Sequence, residues 1–237
     1  MIMFDSILLT VLYAFSFLSF NTRAMMPNDA RLDDTAALVK AAGADFVFLT
    51  EEYTGQMTEL LKNEYPYAES ARAHIDMTER FYSKFPIVDV EDIGAIVNGD
   101  KRDVWVHRVR VVPHEGDTLS LYCCHLPHDY KARTDIVTAI LEDIGRTGAK
   151  AVVGGDMNSL AVSAPIAMLA DGGLTDCWTE KGRGAAATYH RSIIGARIDY
   201  IFRTSGLETT QMKRISAAGI SDHDALFARF ETCALRK

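Results

Sequence analysis

ADFVFLT, residues 44–50, is a nearly unbroken apolar run, and AKAVVGG at 149–155 is another. Each is short for a helix and too apolar for a strand with one wet face, so each reads as a strand buried on both sides. A chain with such strands must cover both faces of its sheets. The segments between them supply the covers. Leu32, Ala36 and Val39 recur at helical spacing before Gly43. Met57, Leu60 and Leu61 predict a short helix. Ile136, Ile140 and Ile144, with Val137 and Leu141, form one amphipathic stripe. Ser163 and Pro165 open a further helix that Gly172 and Gly173 end.

Other strand-like runs cover residues 15–21, 93–97, 103–112 and 118–126, then ATYH, RIDYIFR, TTQMKRI and ALFARF. Helices and strands alternate irregularly, with several hairpin-like neighbours. The pattern predicts an α/β chain with a mixed sheet system covered by helices, not a strict βαβ repeat. No GxGxxG or GxxxxGK[ST] occurs, which argues against a dinucleotide fold or a P-loop.

At 237 residues and 48% hydrophobic content, residues 15–237 read as one domain with a large core. Residues 1–14 read as an apolar lead-in. The stretch SILLTVLYAFSFLSF, residues 6–20, carries no charge but is short of the ~20 residues that span a bilayer. No basic residue precedes it, unlike a signal peptide. It is compatible with a buried first strand or with the remnant of a membrane anchor. Cys123, Cys124, Cys177 and Cys233 show no metal-ligand spacing, and Cys123 and Cys124 point to opposite faces of their strand. The cysteine pattern favours a cytoplasmic protein, with a membrane-anchored or extracytoplasmic one as the alternative, and a monomer is expected.

Polar residues fall at strand ends. Asn21 ends the first strand, Glu51 and Glu52 the second, His125 the run LSLYCC, and Asp156 and Asn158 the run AVVGG. Asp199 lies within RIDYIF, where a charge needs a partner, and Asp222 and His223 precede the last strand. Turn-forming Asp and Asn explain any one of these. As a set, hard oxygen ligands and two histidines without a thiolate suit Mg²⁺ or Mn²⁺ better than zinc. Such a set suits phosphoester hydrolysis. A net charge of -7 gives a broad grip on nucleic acid little support. Arg183, Arg191 and Arg197 are candidates for a local basic rim, and His190 for a substrate contact. Each reads equally as ordinary surface.

LSFNTR (18–23), ADFVFLTEE (44–52), YSKFPI (82–87), CCHLPH (123–128), VVGGDMNS (152–159), RIDYIF (197–202) and SDH (221–223) occur in one order. In that order they resemble the motifs of the endonuclease/exonuclease/phosphatase superfamily, the deoxyribonuclease I-like phosphoesterases. The resemblance implies a four-layer α/β sandwich, two packed mixed β-sheets flanked by helices. It implies Glu51 as the principal Mg²⁺ ligand, Asn21 in support, and Asp222 as a second carboxylate near the metal. Asp156 and Asn158 resemble the pair that positions water and phosphate oxygens. His223 resembles the histidine on the scissile phosphate, and Asp199 the carboxylate that orients it. His125 is similar to the second histidine of the branch that includes deoxyribonuclease I and sphingomyelinases. Asp224 is left as a surface residue.

The sequence departs from the family pattern at Thr50, where Gln is usual, at Lys84 for Arg and at Met157 for Phe. Since Glu52 directly follows Glu51, the choice of ligand rests on motif register. The implied activity is hydrolysis of a phosphodiester or phosphomonoester, with a nuclease or a non-catalytic binding module as alternatives. The implied partner is a phosphate-ester substrate, a small molecule, lipid head group or nucleic acid, and the apolar N-terminus makes a membrane-proximal one relevant.

Overall fold

The computed structural model describes residues 9–72, 78–98, 101–191 and 195–236. The chain opens with β1 (Leu9–Met25), α1 (Leu32–Ala42), β2 (Phe46–Glu52) and α2 (Gln56–Leu61). Five strands follow: β3 (Tyr67–Arg72), β4 (Thr78–Ser83), β5 (Ile87–Asn98), β6 (Lys101–His114) and β7 (Asp117–His125). Then come α3 (Tyr130–Thr147), β8 (Lys150–Asp156), α4 (Ala164–Asp171), β9 (Thr175–Asp176) and α5 (Cys177–Lys181). The chain closes with β10 (Asp199–Arg203), β11 (Glu208–Ile215) and β12 (Ala225–Arg236).

Among the described residues the strands form two six-stranded sheets, ordered β11-β12-β1-β2-β4-β3 and β5-β6-β7-β8-β10-β9. Both are mixed: β1 runs parallel to β2 and β7 parallel to β8, and the other pairs are antiparallel.

The period-2 alternation of each central strand supplies two cores at once. Phe15, Phe17, Phe46, Phe48, Leu226, Ala228 and Phe230 point from the first sheet into the space between the sheets. There they meet Val109, Val111, Leu119, Leu121, Cys123, Val152 and Ile201 of the second. The intervening residues face outward. Leu18, Phe20, Val47 and Leu49 pack beneath Leu32, Ala36 and Val39 of α1 and Met57 and Leu61 of α2. On the other sheet Tyr122, Cys124, Val153, Tyr200 and Phe202 pack beneath Ile136, Val137 and Ile140 of α3 and Ile166 and Leu169 of α4. Three cores separate four layers, which is the expected sandwich. Asp129 caps α3 by accepting from the Ala132 N–H at 2.7 Å.

The first strand is longer than the sequence suggested. It pairs with β12 from Leu9↔Arg236 through Ser19↔Leu226, so residues 9–14 are part of the sheet. Strands β3 and β4 were not foreseen, because YAESAR and TERFYS lack a sustained apolar alternation. ATYH is reduced to Tyr189, which bridges Ala196 and His223. Cys123, Cys124 and Cys177 are free and buried, and burial, the leading cause, pushes all three thiols well up, Cys177 to about 12. Among the described residues no helix is long and apolar enough to cross a membrane.

Two glycines set the approach of β8 to its neighbours. A Cβ on Gly155, which sits at φ 144°, would lie 1.8 Å from the Cys124 carbonyl oxygen. A Cβ on Gly154 would lie 2.6 Å from Phe17 across the sandwich. Gly155→Ala should therefore force β8 away from β7 and destabilise the protein by about 3 kcal/mol or more, because the obstacle is backbone. Denaturant unfolding at neutral pH checks this. A loss below ~1 kcal/mol would show that the strand pair yields easily.

Candidate active site

The parallel pairing of β1 and β2 ends at Asn21↔Thr50, and the register then slips before Met25↔Glu52. Within the slip Arg23 and Ala24 take left-handed backbone, φ 57° and 46°, at a cost of roughly 1–2 kcal/mol each for a non-glycine residue. Their amides are caught by acceptors: Arg23 N–H donates to Asn21 Oδ1 at 2.9 Å and Ala24 N–H to Glu51 Oε2 at 2.7 Å. Glu51 is itself left-handed, φ 58°, and so turns out of the strand alternation.

That turn separates the two acids that the sequence left side by side. Glu51 lines an open cleft. Glu52 is fully buried, where its Oε1 accepts from Thr54 Oγ1 at 2.5 Å and from the Thr54 and Gly55 amides. Arg80 Nε lies 3.0 Å from its other oxygen. Glu52 is thus an architectural acid.

Strand register on the second sheet lines up three functional groups. In the parallel pair β7/β8, His125 stands beside Asp156, and in the antiparallel pair β8/β10, Asp156 stands beside Asp199. Because β10 runs opposite to β8, Asp199 arrives at the start of its strand, not within it. The row is held beyond the strands by Met157 N–H donating to Ile198 O at 2.8 Å. Asn158 is also left-handed, φ 44°. Its N–H donates to Asp156 Oδ1 at 2.9 Å, and its Nδ2 to Leu126 O at 2.8 Å. Its carbonyl accepts from Arg133 Nη1.

The two sheets meet at this row. Asn21 Nδ2 donates both to Glu51 Oε1 and to Asp156 Oδ2, each at 3.1 Å. Ser221 Oγ donates to Asn21 O at 2.8 Å and accepts from His223 N at 3.1 Å, which fixes the turn before β12. His223 Nδ1 then lies 2.9 Å from Asp199 Oδ2, leaving Nε2 3.8 Å from Asp156 Oδ2. The Tyr189 ring packs against the imidazole, centroids 4.9 Å apart.

Asp224 is not the surface residue expected. The chain folds back over it, and it is 4% exposed. Its Oδ1 accepts from Ala217 N at 2.9 Å, and its Oδ2 lies 2.8 Å from His190 Nε2 and 2.9 Å from Arg214 Nη1. His190 is accordingly a support for this turn.

Glu79, absent from the sequence-based set, completes the site. It is 2% exposed, and its Oε1 lies 3.3 Å from His125 Nδ1, whose Nε2 faces Glu51 Oε1 at 3.7 Å. The available signal was a glutamate opening the strand TERFYS, a weak one without its partner in view.

Electrostatics follow from the crowding of acids. Burial pushes His125 down, but the Glu79 hydrogen bond and the charges of Glu79, Asp156 and Glu51 outweigh it and lift the imidazole to about 9. His223 is likewise depressed by burial and lifted more by Asp199, with help from Asp156 and Asp222, again to about 9. Burial, with repulsion from Asp199, raises Asp156 to about 6, against the pull of both histidines.

These groups surround a cleft of about 440 Å³, lined among others by Glu51, His125, Asp156, Asn158, Asp222 and His223. All eight residues predicted for the site come to this place: six line the cleft, and Asn21 and Asp199 stand directly behind it. Asp222 is engaged by Arg191 Nε at 2.7 Å and Arg23 Nε at 3.9 Å. Of the three candidate rim arginines only Arg191 lines the cleft. Arg197 pairs with Asp176 at 2.5 Å and stacks over Tyr200.

Among the described residues, ligating atoms of Asp156, Asp199 and His223 lie within 4.8 Å of one another. With Nδ1 already on Asp199, this trio reads as an oriented imidazole facing an acid. Glu51, whose carboxylate opens to the cleft beside Asn21, is better placed to meet a cation there.

The description Endonuclease/Exonuclease/phosphatase family belongs to the family profile that matches residues 18–223. No curated protein sequence matches the chain. Solved structures share the fold. An endonuclease/exonuclease/phosphatase from Bacteroides vulgatus is 19% identical with a TM-score of 0.76, over 94% of this chain and 100% of that one. A truncated TDP2 of Caenorhabditis elegans is 18% identical with a TM-score of 0.71, over 92% and 98%. The mannosyl-6-phosphatase Bt3783 of Bacteroides thetaiotaomicron is 19% identical with a TM-score of 0.69, over 91% and 99%.

The Glu79–His125 contact has a pH signature. Because the folded imidazole titrates near 9, above its unfolded value near 6.5, its contribution is complete below pH ~6.5 and lost as pH rises through 9. In a chelator, Glu79→Gln should therefore cost up to about 3 kcal/mol near pH 6 and progressively less toward pH 9.5. Unfolding free energies across that range check it, and a pH-independent cost would contradict the charged pair.

Proposed function

Because the chain belongs to the endonuclease/exonuclease/phosphatase family, we propose that it is a divalent-metal-dependent phosphoesterase, hydrolysing a phosphomonoester or phosphodiester by in-line attack of water. One observation carries this reading. An acid–imidazole pair, Asp199–His223, an acid raised to about 6, Asp156, and a cleft-facing carboxylate, Glu51, border one cleft.

The donor set fits Mg²⁺ or Mn²⁺. Glu51, Asp156 and Asp222 offer carboxylate oxygens, and the described cleft lining contains no cysteine. Five carboxylates crowd the site, counting Glu79 and Asp199, and a cation relieves that surplus. Glu51, with Asn21, would hold the ion. Asn21 would have to turn its amide to ligate through oxygen, since Nδ2 now faces Glu51 and Asp156. When bound, such an ion supplies positive charge opposite the developing charge on the phosphate and leaving oxygens.

The chain's own residues supply the proton chemistry. Asp156, near 6, takes the proton of the attacking water as its oxygen bonds to phosphorus. His223, held on Asp199 through Nδ1, is protonated at neutral pH and donates from Nε2 to a phosphate oxygen. Protonated His125, backed by Glu79, does the same from the other side of Asp156. The phosphorus–oxygen bond to the leaving group breaks, and its oxygen collects a proton from solvent at the open mouth.

The acidic balance of the whole chain favours a small phosphate ester over long nucleic acid. The neighbour called mannosyl-6-phosphatase makes sugar phosphates the first substrates to assay. A panel of sugar phosphates, inositol phosphates, sphingomyelin, small diesters, DNA and RNA, with and without Mg²⁺, tests the reading. On whichever substrate the parent turns over, Glu51→Gln and His223→Ala should each lower kcat by roughly a hundredfold or more. A chelator should abolish turnover and Mg²⁺ restore it. Parent-like rates in both variants, or no turnover of any panel member, would reject the assignment.

A further inference from the structure

Arg23 and Arg191 approach the same carboxylate from two separate segments. Arg23 stands on the left-handed turn within the β1/β2 register slip, and Arg191 follows the Tyr189 bridge. Both line the cleft, both side chains are more than half exposed, at 51% and 59%, and both point a guanidinium Nε at Asp222 Oδ2. Two guanidiniums on one carboxylate leave a surplus positive charge at the mouth of an otherwise acidic site.

We propose that Arg23 and Arg191 form an anion clamp at the mouth of the cleft, which receives a second negatively charged group of the substrate beside the phosphate that reacts. This rests on the phosphoesterase reading above. It narrows the substrate class to esters carrying two anionic groups, such as bisphosphates.

Three observations support it. Each guanidinium carries five N–H donors in a planar fork that matches phosphate, and one carboxylate cannot satisfy two forks. The Asp222 side of these pairs is largely buried, at 13% exposure, but both guanidiniums are more than half exposed, so a ligand anion reaches them without displacing Asp222. The backbones on both sides are already placed. On the Arg23 side the neighbouring Ala24 N–H is held by Glu51 Oε2. On the other side His190 N–H donates to Asp222 O at 2.9 Å, which pins the segment leading to Arg191. Arg197 is the contrast: at 12% exposure, committed to Asp176 and stacked on Tyr200, it is spent on the fold.

The test is calorimetric titration of the whole chain in saturating Mg²⁺. The probes are pyrophosphate against orthophosphate, and fructose 1,6-bisphosphate against fructose 6-phosphate. At least one bisphosphate should bind about tenfold tighter than its monophosphate counterpart, as bidentate charge-assisted contacts allow. Arg23→Gln and Arg191→Gln should each erase that preference, leave monophosphate affinity within about twofold, and shift Tm by no more than ~2 °C. Absence of the preference in the parent protein, or its survival in both variants, overturns the clamp. A preference that depends on both arginines in a protein that hydrolyses no phosphate ester leaves the clamp standing and rejects the phosphoesterase reading instead.

Discussion

Everything at the cleft follows from one electrostatic constraint: Asp156 and Asp199 are buried side by side on adjacent strands. Two carboxylates that close cannot both carry charge unaided in a protein interior. The structure answers with an imidazole on each side, His223 across from Asp199 and His125 beside Asp156, and with the Asn21 amide donating into the same space. The acids raise the histidines, and burial with mutual repulsion raises Asp156. One arrangement thus yields both an acid raised to about 6 and two imidazoles lifted to about 9. No single residue would have these properties on an isolated strand.

That arrangement depends on the sandwich. Asn21, Glu51 and Glu79 belong to the sheet built on β1 and β2, and His223 lies in the turn that leads into its β12, while His125, Asp156 and Asp199 belong to the other sheet. The aromatic core between the sheets holds these two halves together, and the Asn21–Asp156, Glu79–His125 and His223–Asp199 contacts join them at the cleft. Phe17 packs so tightly on Gly154 that no side chain fits there, and one residue later the chain reaches Gly155 and then Asp156. Glycine at both positions lets β8 sit close to β7 and to the opposite sheet together, which is what carries Asp156 to Asn21.

Much of this was legible in the sequence. The apolar runs 44–50 and 149–155 mark the central strands, because residues buried on both faces leave a compositional trace. The site residues were legible because they sit where those runs end. Glu79 was not, since its meaning lies in His125, remote in the chain and brought near only by the packing of two sheets. Nor was the separation of Glu51 from Glu52, which depends on a left-handed backbone that no glycine announces. Asp224 looked like solvated surface because its neighbours are polar. It is buried by segments 188–190 and 214–217, whose arrival the local sequence does not encode.

The Met157–Ile198 hydrogen bond closes the base of the long excursion between β8 and β10. The excursion leaves immediately after Asp156 and returns immediately before Asp199, and those two residues are paired across the ladder. Most of it is tied to the row it leaves: Asn158 N–H donates to Asp156 Oδ1, Thr188 Oγ1 accepts from Asp199 N, and β9 pairs with β10. A shorter part carries Tyr189 and Arg191 into the cleft. Exchanging side chains there would redraw one wall of the cleft while leaving the Asp156–Asp199 pairing in place. Relatives built on the same sandwich could diverge in substrate by rewriting this segment alone.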